Sequence, residues 1–375
     1  MESELRQVHV FKLRVFVLFK IIGISFLVFY VQFQAIADDS KVKNLDNINS
    51  AQAKVVDFAG SEKACSKNVI DECFFVAKEY LSGKYVVKNE QKAATLFIKA
   101  AEQGHAEAQL YLAILYQKGV GVEQNDKQSY FWYHKSAAQG NANAQNELGN
   151  IYGKGLIGIT RSDEKAFFWY QKAANKGLAE AQYNIGLNYR YGKGVNKDIK
   201  QAIDWYKKSA KQGFAKAQHN LGGIYFLGEE MPKNYEKAFF WYQKAASQGF
   251  SFAQNHLGIF YEKGLSVAQN YEQAVFWYQK SANQGYAKAQ SNLGLMYAKG
   301  RGTSRDYSRA FFWIKSAADK GIPHAQNNLG FMYEKGFGVA KNFKKAETLY
   351  KQALAKGLQT AQVNLDRIKD LKEKN

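Results

Sequence analysis

The chain has 375 residues, with 52 Lys and Arg against 33 Asp and Glu for a net charge of +19, two prolines beside 31 glycines, two cysteines and 15% aromatic residues. That length suits either two or three ordinary domains or one repeat array, while the scarce proline and abundant aromatics exclude long disorder and favour helices that end at glycine. The basic excess points to acidic partners, whether anionic lipid, acidic polysaccharide, nucleic acid or acidic protein faces, unless the lysines at recurring solvent-side positions only keep the surface soluble.

Residues 1–37 read as a leader. Arg6, Lys12, Arg14 and Lys20 make a basic start, Ile21 to Val31 is an apolar run, and Ala35-Ile36-Ala37 sets a small-x-small cleavage pattern before Asp38. The expectation is a secretory signal peptide cut between Ala37 and Asp38, leaving a basic periplasmic or secreted product without a stable membrane span. The competing reading is an uncleaved inner-membrane anchor, because Val15 to Val31 is apolar apart from Lys20. About 20 apolar residues are needed for a span, which favours cleavage. No Cys follows the run to take a lipid anchor. A polar linker and the start of a cap then occupy 38–59, and a degenerate capping unit occupies 60–107.

From there the chain repeats. The pair Ala-Gln begins at Ala108, Ala144, Ala181, Ala217, Ala253, Ala289, Ala325 and Ala361, with every interval 36 except one of 37. All tryptophans fall in one column (Trp132, Trp169, Trp205, Trp241, Trp277, Trp313), and helix-ending glycines fall in another, from Gly104 to Gly357. The extra residue lies in the turn Gly155-Leu156-Ile157-Gly158-Ile159, where an insertion is tolerated best. Each unit predicts two helices. The first runs from Ala-Gln through Leu-Gly and Tyr to Gly, as in Ala253 to Gly264; the second sets Ala274, Trp277, Tyr278, Ser281 and Ala282 on one stripe and stops at Gly285. One such pair cannot bury its own stripe, so the units must stack. Seven complete units cover 108–360. A capping helix covers 361–375, charged beyond Leu365, and Leu96 and Leu349 replace Trp at the two ends.

The pattern Ala-x-x-x-Leu-Gly-x-x-Tyr-x-x-Gly followed by Ala-x-x-Trp-Tyr-x-Lys-Ala-Ala-x-x-Gly resembles the Sel-one-like repeat, a relative of the tetratricopeptide repeat. The resemblance implies an all-α, right-handed solenoid of about eight 36-residue helix pairs, acting as a protein-binding adaptor. It also implies an exported bacterial protein serving host contact or envelope assembly. Cys65 and Cys73 straddle a turn between helices. Two buried thiols or a bridge would both fit that placement; the resemblance to cysteine-rich secreted members implies a disulfide, which an oxidising compartment preserves.

The binding face is expected on the first helices, opposite the Ala-Gln, Leu-Gly and Tyr side, at positions two, three, six, nine and ten after Ala. Position three reads Tyr111, Glu147, Asn184, Asn220, His256, Asn292, Asn328 and Asn364. A row of amides can pair with any extended peptide backbone, or it can bond neighbouring helices to one another. Position six reads Ile114, Asn150, Leu187, Gly223, Ile259, Leu295 and Phe331, either covered by adjacent helices or free for apolar contact. On the second helices, Phe131, Phe168, Phe240, Phe276 and Phe312 precede Trp, with Asp204 interrupting them. They form a second contact surface or are buried between successive second helices, the latter being the expectation.

No catalytic residue, cofactor or metal is expected. The turns Lys118-Gly119-Val120-Gly121 and Tyr191-Gly192-Lys193-Gly194 lack the spacing of a phosphate loop, and Ser40-Lys41-Val42-Lys43 lies in the linker without partner motifs. His219 and His256 come close enough to approach across units, but two imidazoles make a poor metal site. The leading expectation is therefore a binding scaffold that takes an acidic or extended protein segment. Its rivals are a weak β-lactam or peptidoglycan-interacting hydrolase and an adaptor for anionic envelope polysaccharide; a specific nucleic-acid partner is not expected.

Overall fold

A computed structural model describes residues 57–228 and 231–373, with side chains to residue 370. The expected leader, its Ala37–Asp38 cleavage point and most of the linker lie outside the described residues. The chain divides at Gly60, and the unit from Ser61 onward is helical throughout its regular structure. Eighteen helices are described. A short α1 (Phe58–Ser66) comes first. Nine first helices follow: α2 (Ile70–Ser82), α4 (Ala106–Lys118), α6 (Ala142–Lys154), α8 (Ala179–Tyr191), α10 (Ala215–Leu227), α12 (Ser251–Lys263), α14 (Ala287–Lys299), α16 (Pro323–Lys335) and α18 (Thr360–Glu373). Eight second helices alternate with them: α3 (Glu90–Glu102), α5 (Asp126–Ala138), α7 (Asp163–Asn175), α9 (Ile199–Lys211), α11 (Tyr235–Ser247), α13 (Tyr271–Asn283), α15 (Tyr307–Asp319) and α17 (Phe343–Ala355). From α2 onward each packs on its neighbours in chain order, which makes an all-α solenoid.

Local chemistry explains where the helices start and stop. Asn89, Asn125, Ser162, Asp198, Asn234, Asn270, Asp306 and Asn342 cap the second helices, each side chain accepting the backbone N–H three residues on. First helices stop at a left-handed glycine such as Gly264, whose N–H donates to Phe260 O. The core is a spine shared between units. Tyr133, Tyr206, Tyr242, Tyr278 and Tyr350 are fully buried, and a Cβ built on Gly258 would stand 2.4 Å from the Tyr278 ring, so only glycine allows that approach without a shift.

Buried polar side chains fasten helix to helix, glutamines between units and serines within them. Gln109, Gln145, Gln218, Gln254 and Gln290 donate to the carbonyls of Ala101, Ala137, Ala210, Ala246 and Ala282 at 3.0–3.3 Å, adding a second bond to acceptors that already take the N–H of the glycine ending the preceding second helix. Ser136, Ser209 and Ser281 donate to Ala106, Ala179 and Ser251 carbonyls at 2.6, 2.6 and 2.7 Å. Cys65 and Cys73 are joined by a disulfide that ties α1 to α2, with Cα atoms 4.5 Å apart.

Two expectations change. Trp and Tyr were expected on one stripe; apart from Trp169 the indoles are only half-buried, because they lie along the seam against the previous unit while Tyr fills its centre. The phenylalanines before Trp are not buried between second helices: Phe131, Phe168, Phe240, Phe276 and Phe312 are 46–59% exposed. One residue turns a helix by about 100°, which carries them off the stripe that the neighbouring unit covers.

Candidate functional site

The first helices present a continuous face, and its side chains are set by the columns of the repeat. The row three residues after Ala, holding Asn184, Asn220, His256, Asn292, Asn328 and Asn364, is half-buried along its length. Three of its amides reach the preceding first helix: Asn184 Nδ2 donates to Asn146 Oδ1 at 3.0 Å, Asn292 to Asn255 at 3.1 Å and Asn364 to Asn327 at 2.7 Å. Each of these amides keeps a second N–H and a carbonyl oxygen beyond that bond. The accepting row differs from expectation, since Leu110, Asn146, Asn255 and Ser291 are buried where a groove lining was expected. Adjacent first helices close over that position. Ile114, Leu187, Ile259 and Leu295 lie partly buried at the edges of the core clusters, and Phe331 is 37% exposed, so apolar surface alternates with amide along the row.

Charge divides the face into three stretches. Near α6 and α8, burial and then the neighbouring Glu180 push the Glu147 carboxyl up, against a hydrogen bond from Asn150. The middle, on α8, α10 and α12, is aromatic. Tyr183 and Tyr206 have ring centroids 5.8 Å apart, and His256 stacks on Tyr242 at 4.4 Å and 6°. His219 lies 5.3 Å from His256, and burial, reinforced by His256, pulls its imidazole down to about 4. Burial likewise lowers His256, whose Nδ1 lies 2.9 Å from the Phe252 carbonyl. At the far end Glu334 is buried, which would raise it, yet bonds from Arg367, Lys335 and Tyr350 outweigh burial and hold it low.

Position nine, expected to line the groove, serves the core instead. Nine residues after Ala, the first helix supplies the acceptor for the buried tyrosine: Tyr133 donates to Gln117 at 2.9 Å, Tyr278 to Glu262 at 2.6 Å and Tyr350 to Glu334 at 2.9 Å. Where the second helix carries Ile314, the first carries Ala298, so the paired change along the period was the legible signal. Three tyrosines depart from this pairing: Tyr170, opposite Gly153, donates instead to Asn150 at position six at 2.9 Å, Tyr242 meets the ring of Phe226, and Tyr206 stands opposite Arg190 with its buried hydroxyl beside Asn220. Among the described residues no three His, Cys, Asp or Glu side chains come together as a metal set, and no helix is long and apolar enough to cross a membrane.

A family model described as the Sel1 repeat matches eight consecutive segments: 73–105, 106–141, 142–178, 179–214, 215–250, 251–286, 287–322 and 323–358. Among solved structures, a Sel1 repeat protein from Oxalobacter formigenes is 36% identical, covering 65% of this chain and 96% of its own with a TM-score of 0.59. The protein c5321, a protective antigen of uropathogenic Escherichia coli strains with an SLR fold, is 31% identical, covering 84% of this chain and 75% of its own with a TM-score of 0.57. No curated protein matches the sequence.

Proposed function

The chain belongs to the Sel1 repeat family, whose members serve in general as protein-interaction scaffolds, and from that premise we propose that it holds an extended, acidic protein segment along its first-helix face. The observation that carries this reading is the half-buried row of amides interleaved with partly exposed apolar side chains. Asn328 and the second N–H groups of Asn184 and Asn292 offer donors to a peptide backbone, while Leu187, Ile259, Leu295 and Phe331 offer contacts to its side chains. From Asp38 onward 48 Lys and Arg stand against 31 Asp and Glu, and this net charge of +17 speeds encounter with an acidic segment and makes it salt-dependent. Export accompanies this reading: the Ala37–Asp38 junction, the basic leader and the disulfide suit an envelope or secreted scaffold, with Asp38 as the mature N-terminus.

The test is selection of peptides from a displayed library, followed by titration calorimetry against a variant carrying Leu187→Ser, Leu295→Ser and Phe331→Ser. Binding is expected to fall at least about tenfold, with the melting curve still cooperative. Equal affinity of the folded variant would refute the first-helix face. N-terminal sequencing of the envelope fraction should begin at Asp38, and an intact Met1 would overturn export by cleavage.

A further inference from the structure

The opposite face of the solenoid carries a pattern that the groove does not use. Residues four apart share one edge of a helix. On α11 that edge reads Glu236, Phe240 and Lys244, and on α13 it reads Glu272, Phe276 and Lys280, all exposed. On α15, Phe312 continues the central row, with uncharged Ser308 and Ser316 in the outer two. Phe240, Phe276 and Phe312 are 48, 46 and 59% exposed, each edge-on to the following Trp at 5.0, 5.1 and 4.9 Å. Lys244 and Lys280 lie over the rings of Phe240 and Phe276 at 5.0 and 4.5 Å. Lys237, next to Glu236, is turned away onto Tyr225 of the first helix at 5.5 Å. Successive second helices lie side by side, so the face is banded along the solenoid into an acidic, a phenylalanine and a basic row.

Banding of this kind complements itself in one orientation. A half-turn about an axis parallel to the solenoid brings a second copy face to face with Glu on Lys and Phe on Phe; a half-turn about the perpendicular in-plane axis brings like charge on like. We propose that α11, α13 and α15 form a parallel homodimer interface, Glu236 and Glu272 of each copy meeting the Lys244 and Lys280 rows of the other around a phenylalanine core. The patch is bounded by its neighbours. On α9 the same positions read Lys200, Asp204 and Lys208, which would meet their own kind, and α17 offers Lys344, Thr348 and Gln352 without an aromatic ring. A lipid surface or an acidic helix would satisfy the Phe and Lys rows but leave the Glu row against like charge, which favours a second copy. Three half-exposed rings per copy, with the stems of the flanking Glu and Lys, bury on the order of 1,000 Å² in total. That area lies at the low end for specific association, so the dimer is concentration-dependent.

Sedimentation equilibrium at about 0.15 M salt, from about 1 to about 200 µM protein, tests the proposal. The wild type is expected to shift from monomer to dimer across that range. Lys244→Glu with Lys280→Glu, and separately Glu236→Lys with Glu272→Lys, should each abolish the shift, while an equimolar mixture of the two variants restores it. Phe240→Ser with Phe276→Ser should remain monomeric, with circular dichroism melts reporting whether it folds; should it fail to fold, the exposed charge variants still decide. A monomeric wild type, unchanged association of the charge variants, or failure of the mixture to associate would overturn the interface. Recovery of a monomeric wild type on phosphatidylglycerol vesicles would assign the same face to lipid instead.

Discussion

His219 and His256 are held neutral because burial disfavours the imidazolium, and the sign of the resulting pH dependence follows from that. His219 binds its proton only near about 4 when folded and near about 6.5 when unfolded. Its contribution to stability is therefore complete above about pH 6.5 and lost as pH falls towards about 4. Melting temperature should drop across that window, and His219→Asn with His256→Asn should flatten the curve; an unchanged slope would show that these rings are hydrated. Gly258 tests packing at the same scale. Gly258→Ala places a methyl group against the Tyr278 ring and should cost about 1 to 3 kcal/mol in urea unfolding, although Ala113 opposite Tyr133 shows that the column can open. These rings and this glycine were visible as columns in the sequence, but which ring would be fully buried was not. Trp and Tyr are adjacent in sequence, and only the crossing of the helices decides which one faces the spine.

At the level of single helices, capping and turn chemistry set the boundaries. The polar N-cap column from Asn89 to Asn342 was as periodic as Ala-Gln and could have been read, yet it stands in the turns, away from the apolar stripe that guided the helix assignment. Asn270→Ala should destabilise by about 1 kcal/mol, because the Gln273 N–H loses its acceptor. Ser266 occupies the left-handed region at φ 55°, at the position where other turns carry glycine such as Gly302 at φ 66°. Ser266→Gly is accordingly expected to raise stability by about 0.5 to 1 kcal/mol, and a lower melting temperature would show that the serine side chain compensates for its strain. Reduction of the Cys65–Cys73 bridge releases an eight-residue loop at the N-terminal cap and should cost about 2 to 3 kcal/mol there. Hydrogen exchange should show the loss in α1 and α2 and leave the central repeats protected.

Across the whole molecule, stability is close to a sum of units and their interfaces. Deleting residues 251–286, one complete matched repeat, removes its internal Ser281–Ser251 and Tyr278–Glu262 bonds as a set and joins equivalent positions, so that Gln290 can take the place of Gln254 on the Ala246 carbonyl. The shortened protein is expected to stay helical and to unfold cooperatively at a lower denaturant midpoint; aggregation or loss of helicity would disprove a modular spine. The two long faces have different roles in this arrangement. The first-helix face changes from acidic near Glu147 to aromatic around His256 to an ion-paired end at Glu334 and Arg367, which suits recognition of one particular segment. The second-helix face keeps the Glu, Phe and Lys rows in register on α11 and α13, which suits a repeated contact.

Periodicity alone established the helix pair, its length, the shared spine and the positions of the glycines, because 36-residue spacing of small and aromatic residues admits no other packing. It also brought the Asn row to the first-helix face. The division of labour within that face was decided only by tertiary structure. Asn184 and Asn292 spend a donor on the preceding unit, the row beside them is buried, and the phenylalanines before Trp stand in solvent. Helical phase tells which residues point the same way. How closely the next helix approaches, and therefore which of those residues it covers, depends on side chains a full repeat away.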